Sequence, residues 1–245
     1  MNRFNSIEII SIIFYTCNYL LFDKYLHNDK LNSKQQVEYI SRIVSNVNAV
    51  ITSILAIYCL HFEKQVYFQT PMKGTTSIGI FLIQFIIGYM IYDLSLIFYF
   101  RSILLDFGSL IHHALTLIIF NLGLISGNIN VILILFILTE ITTPFVNYRW
   151  ILYNTGRKEN VVYLVNGALM AIGFLVVRVL YVPIMVFSML QKHHDEFQTL
   201  GALERNCYYF ALMIINVLNA YWSYLIWKGF IKAIVGSFKS KIKSN

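Results

Sequence analysis

The sequence predicts an all-α polytopic membrane protein with about seven transmembrane helices. Of its 245 residues, 58% are hydrophobic and only 13% are charged, and the mean hydropathy is +0.64. Such a composition is typical of membrane proteins. Several apolar runs are long enough to cross a bilayer, and three prolines with twelve glycines leave little chain for long structured loops. We therefore expect one polytopic domain.

Six apolar runs match the roughly 30 Å thickness of the hydrocarbon layer. They lie near residues 43–62, 77–100, 110–126, 129–151, 160–190 and 206–230. A seventh run, residues 7–22, has the length of a signal-peptide core, but no small-residue cleavage pattern follows it, so we expect a retained anchor span. The runs divide the chain into an anchor helix with a cytosolic loop (1–42), a main domain (43–235) and a basic cytosolic tail (236–245).

The basic residues predict how the spans are oriented. Thirteen of the nineteen Lys and Arg residues fall on one side of a seven-span arrangement and five on the other, with Arg178 inside a span. The positive-inside rule makes the richer side, and the C-terminus with it, cytosolic. In the final stretch KIKSN, Lys241 and Lys243 occupy the two lysine positions of the KxKxx retrieval signal of endoplasmic-reticulum membrane proteins. The alternative is an ordinary basic tail held near anionic lipid.

Charge and cysteine content exclude other classes of protein. The net charge of +7 fits cytosolic loops that face anionic lipid, and no aromatic-basic motif accompanies it, so nucleic acid is not an expected partner. The three cysteines, Cys17, Cys59 and Cys207, are an odd number and lie in apolar runs. They predict neither a disulfide framework nor a cysteine-based zinc site.

Ionisable residues inside spans are costly, which makes them candidates for function. These residues are Asp93, His112, His113, Glu140 and Arg178. At 1.5 Å per residue, the histidines lie about 3–5 Å inside the cytosolic boundary, Asp93 about 10 Å and Glu140 about 15 Å. Their agreement in depth predicts a polar cavity that opens to the cytosol.

Arg178 and two further polar residues are assigned to a lipid or substrate pocket beside these groups. Asn147 shares a helix face with Glu140, and Asn166 lies at a similar depth in the sixth span. Arg178 lies deeper, where it would pair with a carboxylate or bind a lipid phosphate.

Structural roles are the alternative for each of these groups. A histidine at a span boundary also bonds headgroups or backbone carbonyls, and Asp93 could neutralise Arg101. His112 and His113 project about 100° apart and lack the i, i+4 spacing of a helical metal site. We therefore expect no metal ion, and predict that one imidazole does chemistry while the other orients it or binds the carboxylates.

Three stretches, HHALT, TEITTPFVNYRWILYNTG and VNGALM, resemble the TLC-domain superfamily, which includes ceramide synthases. The resemblance extends from about residue 40 to about residue 235. It implies six helices closed into a barrel around a lipid tunnel, with one outer helix. It also implies an acyl-transfer site in which His112 and His113 match the paired histidines and Thr116 matches the threonine that follows. The family's later acids fall on Glu140, Thr143 and Asn147, so only Glu140 is retained.

Three functions remain open at this point. The first is acyl transfer from acyl-CoA, with Glu140 or Asp93 orienting one histidine and no cofactor besides this co-substrate. The second is a non-catalytic protein of lipid homeostasis that binds membrane lipids in the same tunnel. The third is a trafficking receptor.

Overall fold

The structure, a computed structural model, describes residues 5–244, and describes side chains from residue 6 to residue 235. Within this part of the chain, seven helical segments are long and apolar enough to cross a membrane. The predicted fold class, an all-α polytopic membrane protein, is confirmed. The α-helices are α1 (Asn5–Tyr25), α2 (Ser33–Phe62), α3 (Lys64–Gln69), α4 (Ser77–Tyr99), α5 (Arg101–Leu104), α6 (Phe107–Ser126), α7 (Asn130–Leu138), α8 (Thr143–Asn154), α9 (Val161–Phe174), α10 (Val182–Lys192), α11 (His194–Gln198) and α12 (Ala202–Ser244).

Six spans close into a ring, and the first span packs outside it. Around the ring, α2 contacts α4, α4 contacts α6, α6 contacts α12, α12 contacts α9, α9 contacts α8, and α8 contacts α2. Helix α1 packs on α4 and α2, where the Ser11 hydroxyl donates to the Phe85 carbonyl at 2.7 Å. Large apolar side chains such as Ile54, Ile118 and Val217 are exposed on the outside, as lipid-facing residues are.

Two spans contain a break in their α-helical pattern. The fifth span joins α7 to α8 through a 3-10 turn, Thr139–Thr142, just before Pro144, whose missing N–H cannot continue the ladder. The sixth joins α9 to α10 through a π-helical segment, Leu175–Tyr181. Such segments change the direction in which side chains project and are frequent at functional sites. Glu140 and Arg178 lie in these two breaks.

Helix α2 begins earlier than the apolar run within it. Asn32 and Gln35 form a reciprocal capping box, and the Gln35 amide also donates to Asn154 at the end of α8 at 2.9 Å. The boundary expected at residue 43 therefore falls inside one continuous helix. Hydropathy marks where apolar residues begin, whereas the cap decides where the helix begins.

The two ends of the ring differ in charge and in closure. The connections α1–α2, α4–α6 and α8–α9 share one end, which carries Lys24, Lys30, Arg101 and Lys158 and is called the basic end below. At the opposite end a tight turn joins α6 to α7, where Ile129 adopts a left-handed φ of 53°. The Ile129 N–H donates to the Met72 carbonyl at 2.7 Å, and this bond holds the turn across that end of the ring.

Candidate functional site

His113 is held against a carboxylate of the neighbouring helix. Helices α4 and α6 pack together, and His113 Nδ1 lies 2.9 Å from Asp93 Oδ2. Both side chains are largely buried. The contact is an ion-pair approach rather than an aligned hydrogen bond, since the nitrogen has no partner of hydrogen-bond geometry. Asp93 thus orients the His113 ring.

His112 points in a different direction from its neighbour. The two rings lie 5.3 Å apart at 69°, and His112 also meets the Trp222 ring edge-on at 5.7 Å. Its Nδ1 is buried and has no hydrogen-bond partner among the described residues. Burying an imidazole nitrogen without a hydrogen-bond partner lowers stability. Because His112 lines a cavity, this nitrogen is available to a bound molecule.

Glu140 and Arg178 face each other from the two breaks in the ring. Arg178 Nη2 lies 3.4 Å from Glu140 Oε1, and its Nε donates to Thr142 Oγ1 at 2.8 Å. Thr143 accepts from Arg178 at 3.0 Å and donates to Glu140 Oε2 at 2.8 Å. The pair is almost fully enclosed, so each charge neutralises the other. Arg178 thereby has the carboxylate partner that the sequence could not identify.

Two cavities of opposite character meet inside the ring. One is apolar and extends from His112 to the turn at Ile129, with about 850 Å³ of empty space, open solvent included. The other is polar, lies towards the basic end and holds about 1520 Å³, open solvent at its mouth included. Four residues line both cavities and form what we call the junction: Met90, His112, Glu140 and Arg178.

The junction has the chemistry of an amphiphile-binding site, because an apolar cavity and a polar cavity meet there. Leu133 and Phe136 line the wall of the apolar cavity, and Thr116 lies in it one helical turn from His112. An alkyl chain would fill this cavity, and its polar head would then lie beside His112 and Arg178.

Arg42 and Asn147 build the wall of the polar cavity next to α2. Arg42 Nη1 donates to Asn147 Oδ1 at 2.9 Å, its Nη2 lies 2.7 Å from Glu38, and its guanidinium lies over the Trp150 ring at 4.9 Å. The boundary expected at residue 43 would leave Arg42 in the cytosolic loop. Arg42 is instead the tenth residue of α2, and the capping box at Asn32 was the signal that could have placed it there.

The remaining predicted residues lie elsewhere. The Asn166 amide donates to the Phe145 carbonyl at 2.9 Å, which ties α9 to α8, and Asn166 does not line either of these two cavities. Lys241 and Lys243 have side chains outside the described range. Between residues 6 and 235, no group of three or more His, Cys, Asp or Glu side chains is arranged to hold a metal ion.

Comparison with known proteins gives a consistent set of matches. A family model described as the TLC domain matches residues 38–228, which include the whole junction. TLC domain-containing protein 4 A of Dictyostelium discoideum is 30% identical over 90% of this chain and 87% of its own length. TLC domain-containing protein 4 of Homo sapiens is 28% identical over 89% and 83% of the two chains. Protein 4-B of Danio rerio is 27% identical over 86% and 81%.

Proposed function

The chain belongs to the TLC-domain family, and from that premise we propose that it acts in membrane lipid metabolism by acyl transfer from acyl-CoA. The acyl chain occupies the apolar cavity, and the thioester carbonyl lies at the junction beside His112. The coenzyme part of the co-substrate extends through the polar cavity towards the basic end.

The observation that carries this proposal is the position of His112 between the two cavities. Its Nδ1 is buried without a partner, and the side chain lines both the apolar and the polar space. A thioester is itself the boundary between an apolar chain and a polar carrier. A ligand seated with its chain in one cavity and its carrier in the other therefore presents its carbonyl carbon to this imidazole.

The chemistry follows from the neighbouring groups. A nitrogen of His112 attacks the carbonyl carbon, the carbon–sulfur bond breaks, and the coenzyme thiolate leaves. His113, protonated beside Asp93, supplies the proton that the thiolate takes up. An amine or hydroxyl of the acceptor lipid then attacks the acyl-imidazole, and its proton returns to the His113–Asp93 pair as the His112 nitrogen leaves. Arg178 lies where it can stabilise the negative charge on the carbonyl oxygen.

A second function, binding of a lipid without chemistry, is favoured by the state of Glu140. Its two carboxylate oxygens are engaged by Arg178 and Thr143. Glu140 is therefore not free to act as a base towards the histidines. A protein that binds or senses lipids needs the cavities and the junction but needs no base.

Release of coenzyme thiol distinguishes the two functions. We would measure it with purified full-length protein and long-chain acyl-CoA for the wild type, His112→Ala, His113→Ala and the control His61→Ala, which lies near the end of α2 away from both cavities. Acyl transfer predicts turnover that is lost in the first two variants and kept in the control. Folded wild-type protein that retains lipid but releases no thiol would support the binding function instead.

The location in the cell is part of the proposal. The bias of basic residues supports a cytosolic basic end and a cytosolic C-terminus, and the KIKSN sequence supports retrieval to the endoplasmic reticulum. The double substitution Lys241→Ser and Lys243→Ser tests this directly. We expect the tagged variant to leave the endoplasmic reticulum in cells, whereas an unchanged distribution would refute a retrieval role.

A further inference from the structure

Asn219 is an unusual polar group in the wall of the apolar cavity. It lies in α12, is only 3% exposed, and lines the cavity. Its Oδ1 is buried and has no hydrogen-bond partner among the described residues. A buried amide without a partner lowers stability, so its presence in this wall calls for a ligand that pairs with it.

Four asparagines of the described helices bond the backbone of their own helix through the side-chain NH2 group. Their amides donate to the carbonyl four residues earlier at 2.7–3.0 Å: Asn18, Asn121, Asn154 and Asn216. Asn219 could do the same in the same kind of helix but does not. Its side chain is directed to the cavity instead.

Among the described residues, Thr116, on the facing helix α6, also lacks the hydrogen bond to the carbonyl four residues earlier. Several threonines donate to the carbonyl four residues earlier, two within helices and two at helix C-caps: Thr16, Thr52, Thr70 and Thr155. Thr116 makes no such bond within the described residues, and it lines the apolar cavity. Two polar side chains are thus directed into a cavity whose wall is otherwise mainly aliphatic and aromatic.

Asn219 and Thr116 lie at the same depth. His112 on α6 meets Trp222 on α12 at 5.7 Å, and the two spans run in opposite directions. Thr116 is one turn beyond His112, and Asn219 is one turn before Trp222. Both therefore lie about 5 Å beyond His112, on the apolar side of the junction.

We propose that the apolar cavity selects an acyl chain that carries a hydroxyl group about three to five carbons from its carbonyl carbon, with Asn219 and Thr116 as the recognition pair. A hydroxyl donates one hydrogen bond and accepts others, so it can donate to Asn219 Oδ1 and accept from Thr116 Oγ1. An unsubstituted chain offers neither bond and leaves the amide unpaired. This inference rests on the proposed function, since it requires an acyl chain in the apolar cavity.

Binding of matched fatty acids tests the inference. The probes are hexadecanoic acid and 5-hydroxyhexadecanoic acid, whose hydroxyl carbon lies four carbons from the carbonyl carbon, and they compete with a fluorescent fatty acid for the full-length protein in nanodiscs. The variants are Asn219→Leu, Thr116→Val and the control Asn216→Leu, whose amide bonds its own helix and lines neither cavity. Thermal unfolding without ligand accompanies each binding curve.

We expect the wild type and Asn216→Leu to bind the hydroxylated acid roughly fivefold more tightly, the value of one net hydrogen bond. Asn219→Leu should lose this preference while its melting temperature is equal to or above that of the wild type, and Thr116→Val should reduce the preference. Equal binding of both acids by the wild type, or a preference that survives in Asn219→Leu, overturns this inference alone. Failure of the wild type to bind either acid overturns the proposed function as well.

Discussion

Replacing Gly88 by alanine tests the packing that fixes the outer helix against the ring. Gly88 lies in α4 where α1 crosses it. A β-carbon at this position would lie 2.5 Å from Ser11 Cβ, 2.6 Å from the Glu8 carbonyl oxygen and 2.8 Å from Ser11 Oγ. The Glu8 carbonyl oxygen and Ser11 Cβ are fixed by the backbone of α1 and cannot rotate away. Helix α1 must therefore move by about an ångström.

The magnitude follows from three contributions. Overpacking of this kind costs about 1–3 kcal/mol. The displacement also weakens the Ser11 hydrogen bond to the Phe85 carbonyl, which contributes about 1 kcal/mol. Alanine stabilises a helix by about 1 kcal/mol relative to glycine, which offsets part of the loss. We expect a net decrease in the free energy of unfolding of about 1–3 kcal/mol.

Gly173→Ala is the matched control in another span. The nearest atom to a β-carbon there, Thr142 Cγ2, lies 3.9 Å away, so the substitution gains helix propensity without overlap. Equilibrium unfolding by a denaturing detergent in mixed micelles would compare the two variants. If Gly88→Ala is as stable as Gly173→Ala, α1 does not pack against α4 at this glycine and the reasoning is refuted.

Three further substitutions test the site. Asp93→Asn should slow thiol release from acyl-CoA about a hundredfold without changing thermal unfolding, because His113 loses its carboxylate. Arg178→Met should lower the free energy of unfolding by about 3–5 kcal/mol because Glu140 is left unpaired, and adding Glu140→Leu should restore most of it. Phe136→Trp should narrow the apolar cavity and shift turnover towards acyl-CoA chains a few methylenes shorter. Each methylene that no longer fits in the cavity loses about 0.8 kcal/mol of binding free energy.

Each substitution also has a result that contradicts its premise. Full turnover in Asp93→Asn would mean that the carboxylate has no part in proton transfer. A double variant no more stable than Arg178→Met alone would show that the loss does not come from the unpaired acid. An unchanged chain-length profile in Phe136→Trp would place the acyl chain outside this cavity.

Hydropathy was sufficient to predict the spans because the bilayer imposes one length and one polarity on each of them. The runs at 77–100 and 110–126 differ by only a few residues from α4 and α6. Helix ends set by local bonds were less accessible, as the early start of α2 shows. The order of the ring, with α12 between α6 and α9, depends on side-chain packing between distant segments.

The sequence predicted only how deep each site residue lies in the membrane. Helical rise brought Asp93, His113 and Glu140 to one region, because depth depends on position along a single span. Which side chains meet depends on how each helix is rotated about its own axis. The breaks in the fifth and sixth spans change that rotation. The pairing of Glu140 with Arg178 and the separate direction of His112 therefore emerged only from the structure.

The most direct test of the account is to locate the acyl group on the protein. Cys17, Cys59 and Cys207 would first be replaced by serine or alanine, because thiols accept acyl groups from thioesters without catalysis. The variant would be incubated with long-chain acyl-CoA, quenched, digested and sequenced by tandem mass spectrometry. The account predicts an acyl group on the imidazole of His112. An acyl group on another residue, or none while turnover continues, would contradict it.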